Sequence, residues 1–296
     1  MKKLLFIYNP ASGRGQVRQR LPGLLDTFTR AGWLVTAYPT QSKGDAARMA
    51  RELGGGFDRI VCAGGDGTLS ETVAGMMELS DPPALAFLPA GSTNDCAYNL
   101  RLPTKPAQAA QIAAEGVPVP MDVGRLNDRN FIYVAAFGAF TDVAYDTPQE
   151  LKNAFGHLAY LLNGLGQLAN LSPHRLRVEH DGQVLEDEFL YGMVCNTYSV
   201  GGVKALPSRQ VVLDDGLFEV LLVRKNVKVT DIAAALQAIA SNTPMDTPAV
   251  VTFQTGAVTI TADEPIAWTT DGEYGGTYAV SKLQCCPHAL NVVKGK

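Results

Sequence analysis

The chain has 296 residues, 46% of them hydrophobic and 18% charged, and a net charge of −4. This length suits two domains with a core each, the composition excludes a disordered chain, and the negative balance excludes a general nucleic-acid binder. Five cysteines, at 62, 96, 195, 285 and 286, show neither metal spacing nor a disulfide framework; with no secretory leader and no apolar stretch of bilayer length, the expected setting is a reducing cytoplasm.

Lys3-Leu4-Leu5-Phe6-Ile7-Tyr8 is almost continuously apolar, as a strand buried on both faces of a parallel sheet requires. Asn9 to Gly15 is its exit loop, in which Gly13-Arg14-Gly15 only nearly matches a dinucleotide fingerprint. A helix then runs to about Arg30, stopped by Gly32, with Pro22 marking an interruption or a late start. A second strand covers residues 33–38. Ser42, with Asp45 three residues on, reads as the N-cap of a helix that ends at Gly54-Gly55-Gly56. Residues 59–62 and 84–88 are the third and fourth strands. Such alternation predicts a doubly wound α/β domain, whose ligands sit at the carboxyl ends of the strands.

The third strand leads into Cys62-Ala63-Gly64-Gly65-Asp66-Gly67-Thr68-Leu69-Ser70-Glu71. Three glycines in four positions let the backbone turn tightly and approach a ligand closely. Such a loop at a helix N-terminus offers unpaired N–H groups and a positive dipole end to an anion. Asp66 repels a bare phosphate, so its presence makes sense if Mg²⁺ lies between carboxylate and phosphate. Without company the same four residues would equally be an ordinary strand-to-helix turn.

A helix over residues 107–115 ends at Gly116, and Val117-Pro118-Val119-Pro120 reads as an extended linker with a domain boundary near Asp122. From Asn130 onward short strands rich in Val, Tyr and Phe recur between turn signals at Asp181-Gly182, Asp215-Gly216 and Asp271-Gly272. That pattern predicts an antiparallel, β-rich second domain. One helix interrupts it: Thr147-Pro148-Gln149-Glu150 is a start signal, and residues 153–174 carry no Asp, Glu, Lys or Arg. This segment reads either as a helix covering one face of the sheet or as a surface that meets acyl chains or the bilayer interface.

Asn9-Pro10-Ala11-Ser12-Gly13 follows the first strand, Leu88-Pro89-Ala90-Gly91-Ser92-Thr93-Asn94-Asp95 the fourth, and Thr270-Asp271-Gly272-Glu273 stands near the end. Together with the Gly64–Thr68 loop, in this order and over nearly the whole chain, they resemble the diacylglycerol kinase catalytic-domain family. These are bacterial lipid kinases related to sphingosine kinases and, more distantly, to NAD kinases. The resemblance implies α/β plus β: a nucleotide-binding domain over residues 1–122 to which a tail, 284–296, returns, and a β-sandwich-like lipid-substrate domain over 123–283.

It also implies ATP and Mg²⁺ as cofactors and a lipid alcohol, diacylglycerol or a relative, as acceptor. The protein would then be cytoplasmic and peripheral to the membrane during turnover, with a homodimer left open. No Walker A pattern is present, so Gly64, Gly65, Asp66, Gly67 and Thr68 would hold the phosphates. The resemblance adds Asn9, Thr40 and Thr93 as nucleotide contacts, although Thr40 also reads as an ordinary residue beyond a strand end. Glu273 matches the family's base in a D-G-E motif, and a carboxylate beside phosphates is expected to accept a proton readily. Asp66 would be the second catalytic acid. In Val212-Leu213-Asp214-Asp215-Gly216-Leu217 the resemblance implies Mg²⁺ bound by Asp215 and the carbonyls of Val212 and Leu217, where the residues alone read as a hairpin turn. Asp95 and Asp122 match acids that connect the two metal regions. Ser70 and Cys96 depart from the commonest family pattern, which bears on substrate or nucleotide preference. Two other readings stay open, an NAD kinase and a nucleotide- or lipid-binding regulator without turnover.

Overall fold

The computed structural model describes residues 1–91, 94–138, 172–197, 199–200, 203–204, 212–228 and 247–295, with some positions between 230 and 243. The helix signal at Thr147-Pro148, nearly all of the uncharged segment that follows it, and Thr93 lie outside the described residues. Two compact units emerge, one of Met1–Met121 with His288–Lys296 and one of Asp122–Pro287. The first is α/β, and the described residues of the second are mostly in strands, with helical positions between 230 and 241.

In the first unit β1 (Lys2–Tyr8), β2 (Trp33–Pro39), β3 (Arg59–Gly64) and β4 (Ala84–Pro89) run parallel in the order β4-β3-β1-β2. Their apolar runs follow from burial on both faces. Leu4, Phe6, Val61 and Ala86 share a core with Val17, Leu24 and Phe28 of α1 (Ser12–Arg30). Leu5, Ile7, Ile60 and Cys62, the alternate residues, are equally buried, as the period of two demands. On that second face Thr72 of α3 (Asp66–Met76) donates to Cys62 Sγ at 3.4 Å, with α2 (Asp45–Leu53) packed beside α3. The short α4 (Asp95–Asn99) follows β4, and α5 (Pro106–Glu115) joins α1 over the first face through Ala109, Ala110 and Ala113.

Three local expectations are corrected. The first helix runs unbroken through Pro22. Ser42 does not cap α2: Gly44 does, in the left-handed conformation at φ 88. There the Asp45 carboxylate accepts from the amides of Gln41 (2.7 Å) and Ser42 (3.3 Å), so the acid at the helix start satisfies the turn that Ser42 was expected to close. Residues 117–120 are not a linker but the start of the ten-residue β5 (Val117–Leu126). Prolines at 118 and 120 are two apart, and a strand tolerates proline where no ladder donor is needed.

The second unit adds β6 (Arg129–Phe131), β7 (Val134–Gly138), β8 (His174–His180) and β9 (Gln183–Cys195). A two-residue pair, β10 (Ser199–Val200) and β11 (Val203–Lys204), stands apart. Then come β12 (Phe218–Arg224), β13 (Val250–Thr255), β14 (Ala257–Thr270) and β15 (Glu273–Lys294). Neighbours in the order β13-β12-β9-β7-β14-β15 pair antiparallel, and β8 pairs with both β9 and β14. Two hairpins close on Asp-Gly. In each both residues have positive φ, 46 and 75 at Asp181-Gly182, 50 and 83 at Asp271-Gly272, the type I′ geometry that suits strand twist. Trp268 is fully buried at the centre, with the Phe137 ring edge-on at 5.0 Å. The end of β15 belongs to the first unit, where Val292 pairs in parallel with Leu85 of β4. Among the described residues no helix is long and apolar enough to cross a membrane.

Candidate functional site

The described first-unit residues marked by the sequence gather at one edge of the sheet. Parallel strands end together, so the turns that leave them become neighbours. The Asn9 amide donates to Ala63 O (2.9 Å), Thr40 to Tyr8 O (2.9 Å) and Ala90 to Gly64 O (2.7 Å). Asn9 Nδ2 reaches Thr68 Oγ1 at 3.5 Å, and Asn9 Oδ1 accepts from the Ala11 amide at 2.9 Å. Asn94 closes the loop after β4 on itself, with Oδ1 accepting from Gly91 N and Nδ2 donating to Gly91 O, both at 2.8 Å.

Backbone meets backbone here. A Cβ on Gly91 would lie 2.7 Å from Gly65 Cα and 3.0 Å from Asn94 Oδ1. Two turns this close leave no room for a side chain where they meet. Gly91→Ala is therefore expected to push them apart and cost about 1–3 kcal/mol, as overpacking does, which thermal denaturation reads directly.

The sequence reading put Asp66, Gly67 and Thr68 in the loop; in the structure α3 already starts at Asp66, with Gly65 as its N-cap. Thr68 thus sits in the first helical turn, and a Cβ on Gly64 would meet it at 2.6 Å. The Asp66 carboxylate is turned inward. It accepts from the amides of Asp95 (3.2 Å) and Cys96 (3.4 Å), and from that of Asn94. It therefore ties the start of α3 to the start of α4 and satisfies amides that α4 cannot. Burial raises its pKa, against the lowering effect of those amides. This cradle of glycines with helix amides behind it fits a nucleotide's phosphates.

The second unit holds the other marked residues. The turn from Val212 to Leu217 is pinned at both ends by Asp122, fully buried on β5. The Asp122 amide donates to Leu213 O (2.9 Å), and its Oδ2 accepts from Gly216 N (2.6 Å). The Cys285 thiol also hydrogen-bonds Asp122; burial, with Asp122 adding, pushes that thiol up to about 12, so it stays protonated. Asp215 Oδ1 accepts from the Leu217 amide at 3.0 Å.

Two residues that sequence reading missed stand beside this turn. Asn196 Nδ2 lies 3.3 Å from Asp122 O and 3.4 Å from Leu213 O, while its buried Oδ1 has no hydrogen-bond partner. Glu219 on β12 is buried; Gln254 donates to its Oε1 (3.1 Å), and its Oε2 lacks a partner. Burial pushes its carboxyl up to about 8; the Gln254 bond opposes this and Asp215 reinforces it. A lone acid among apolar residues in Phe218–Arg224 was the one available signal. Among the described residues no group of three or more His, Cys, Asp or Glu could hold a metal. A cation at this turn would be held by carbonyl and amide oxygens around the Asp215 carboxylate, a donor set that suits Mg²⁺.

Glu273 opens β15, opposite Thr270, and is exposed. Its position is set by Asp271, whose buried carboxylate accepts from the amides of Ile132 (2.7 Å), Tyr133 (3.0 Å) and Val134 (3.2 Å). The D-G-E turn is thus bolted to the strand entering the core.

Comparison with known proteins adds to this geometry. Residues 3–126 match the diacylglycerol kinase catalytic domain model, and residues 136–294 match the YegS C-terminal NAD kinase beta sandwich-like domain model. The chain is 36% identical over 278 residues to the diacylglycerol kinase of Bacillus subtilis (strain 168), covering 93% of this chain and 91% of that one. Against the diacylglycerol kinase of Staphylococcus carnosus (strain TM300) it is 34% identical over 289 residues, covering 97% and 94%. A crystal structure of a candidate diacylglycerol kinase from Bacillus anthracis str. Sterne superposes with a TM-score of 0.86 at 26% identity, over 99% of this chain and 97% of that one.

Proposed function

This chain belongs to the diacylglycerol kinase family, and from that premise we propose that it phosphorylates the hydroxyl of diacylglycerol or a related lipid alcohol, with ATP as donor. It is a kinase with an alcohol acceptor. The first unit is a doubly wound nucleotide-binding domain and the second a β-sandwich-like domain for the lipid, which is collected at the membrane surface.

The observation that carries the reading is the side-chain-free junction of Gly65 and Gly91 in front of α3. Amides there, with Asn9, Thr40, Thr68 and Thr93, hold the phosphates of ATP. Asp66 keeps the two turns in register and supplies negative charge beside them. Glu273 accepts the proton of the lipid hydroxyl as that oxygen attacks the γ-phosphorus, and the bond to the β,γ-bridging oxygen breaks to release ADP. Mg²⁺, when bound, neutralises phosphate charge. A second Mg²⁺ would be a structural ion, for which Asp215 and the carbonyls of Val212 and Leu217 would be the ligands.

Transfer of labelled γ-phosphate from ATP with Mg²⁺ tests this, with diacylglycerol vesicles and NAD offered in parallel. Label in an organic-extractable product is expected. Label on NAD alone, or on neither, would overturn the assignment of the acceptor.

A further inference from the structure

We propose that the side-chain oxygen of Asn196 is a ligand of the cation at the Val212–Leu217 turn. The inference rests on the reading of that turn as a cation site and adds to it a residue from outside the turn.

Asn196 follows β9 and is 1% exposed. Its orientation is decided by its neighbours. Nδ2 faces two carbonyl oxygens, of Asp122 and Leu213, at 3.3 and 3.4 Å. The flipped amide would set oxygen against both, so Oδ1 must occupy the other corner. It is held beside the turn and, among the described residues, receives no hydrogen bond. A buried acceptor in that state calls for an explanation.

The surroundings supply one. Glu219, two residues beyond the turn, also holds a buried oxygen, Oε2, without a hydrogen-bond partner among the described residues. Three donors at the turn are engaged elsewhere: Gly216 N with Asp122, Leu217 N with Asp215, Cys285 with Asp122. Among the described residues this leaves two buried oxygens, Asn196 Oδ1 and Glu219 Oε2, without a donor. A hard divalent cation answers both, since it takes amide, carbonyl and carboxylate oxygens together.

Mn²⁺ alone, without nucleotide, is the probe, titrated into the full chain with free Mn²⁺ followed by electron paramagnetic resonance. Asp215→Ala is expected to abolish the site. Asn196→Leu, which has similar volume and no oxygen, is expected to weaken it by about tenfold or more. Asn196→Asp forfeits the Nδ2 bridge but keeps an oxygen, now charged, and is expected to bind at least as tightly as the native chain. If Asn196 were only a structural clamp, Asn196→Asp and Asn196→Leu would lose the ion equally. That result, or unchanged binding in Asn196→Leu, overturns the inference while the turn stands as a cation site. Unchanged binding in Asp215→Ala, or no saturable site in the native chain, removes the turn itself and the inference with it. Should Asn196→Leu fail to fold, the Asn196→Asp arm still decides.

Discussion

Asp66→Asn is expected to cut phosphoryl transfer by about 10²–10³-fold, the scale on which removal of one electrostatic group acts, without unfolding the chain. The two effects separate because of where the carboxylate sits. Its pKa is raised by burial, while the amides of Cys96, Asp95 and Asn94 oppose that rise, so the ionised form is less favoured in the folded chain than in the unfolded one. The sign follows. A carboxyl raised on folding stabilises fully below the ordinary Asp pKa, and that contribution is lost as pH rises through the folded value. Asn, always neutral, avoids that penalty but keeps one acceptor oxygen where the carboxylate uses two, so near pH 7 the two effects offset and the variant should melt close to the native chain. As the pH falls below the ordinary Asp pKa the native chain sheds its penalty and should gain stability relative to the variant. Melting curves across that range, beside kcat at neutral pH, check both halves. Undiminished kcat would take the Gly64–Thr68 segment out of the mechanism, and a large drop in melting temperature would mean that the amides of Asn94, Asp95 and Cys96 need a charged acceptor.

Glu273→Gln is expected to lower kcat by about 10²-fold or more and to leave the KM for ATP nearly unchanged. Stability should not move either, because Glu273 is exposed while Asp271 anchors the turn through three amides. Gln keeps the shape and loses the ability to take a proton. Steady-state kinetics with ATP and the lipid varied in turn separate the outcomes. A raised KM with kcat preserved would reassign Glu273 to positioning a ligand.

What was legible in the sequence depended on how local the cause was. The parallel strands announced themselves, since Leu4 to Tyr8 is buried on both sides and has no reason to alternate. The Asp-Gly turns at 181 and 271 were equally plain, because few residues accept their dihedral angles. Other features depend on partners far along the chain. Val117-Pro118-Val119-Pro120 is extended whether or not it pairs, and its place in β5 comes from later strands. Asp66 read as an acid for metal or phosphate. Nothing near it in sequence disclosed that amides about thirty residues on would already hold it. Asn196 gave no signal at all, being one polar residue after a strand, and its interest lies in two carbonyls from other segments.

The final strand carries a consequence for biosynthesis. β4 receives its outer neighbour from Val292, about two hundred residues downstream, with Leu290 and Val293 buried alongside. While the chain is being made, the first unit emerges early, yet one margin of its sheet stays open until a segment about two hundred residues downstream has been made. An exposed strand margin invites pairing with other chains, and contacts this distant in sequence close slowly. The nascent first unit is therefore the stage most in need of protection from aggregation. A nick or truncation that removed residues 288–294 would strip β4 of that neighbour, although every glycine-rich turn of the first unit would remain intact.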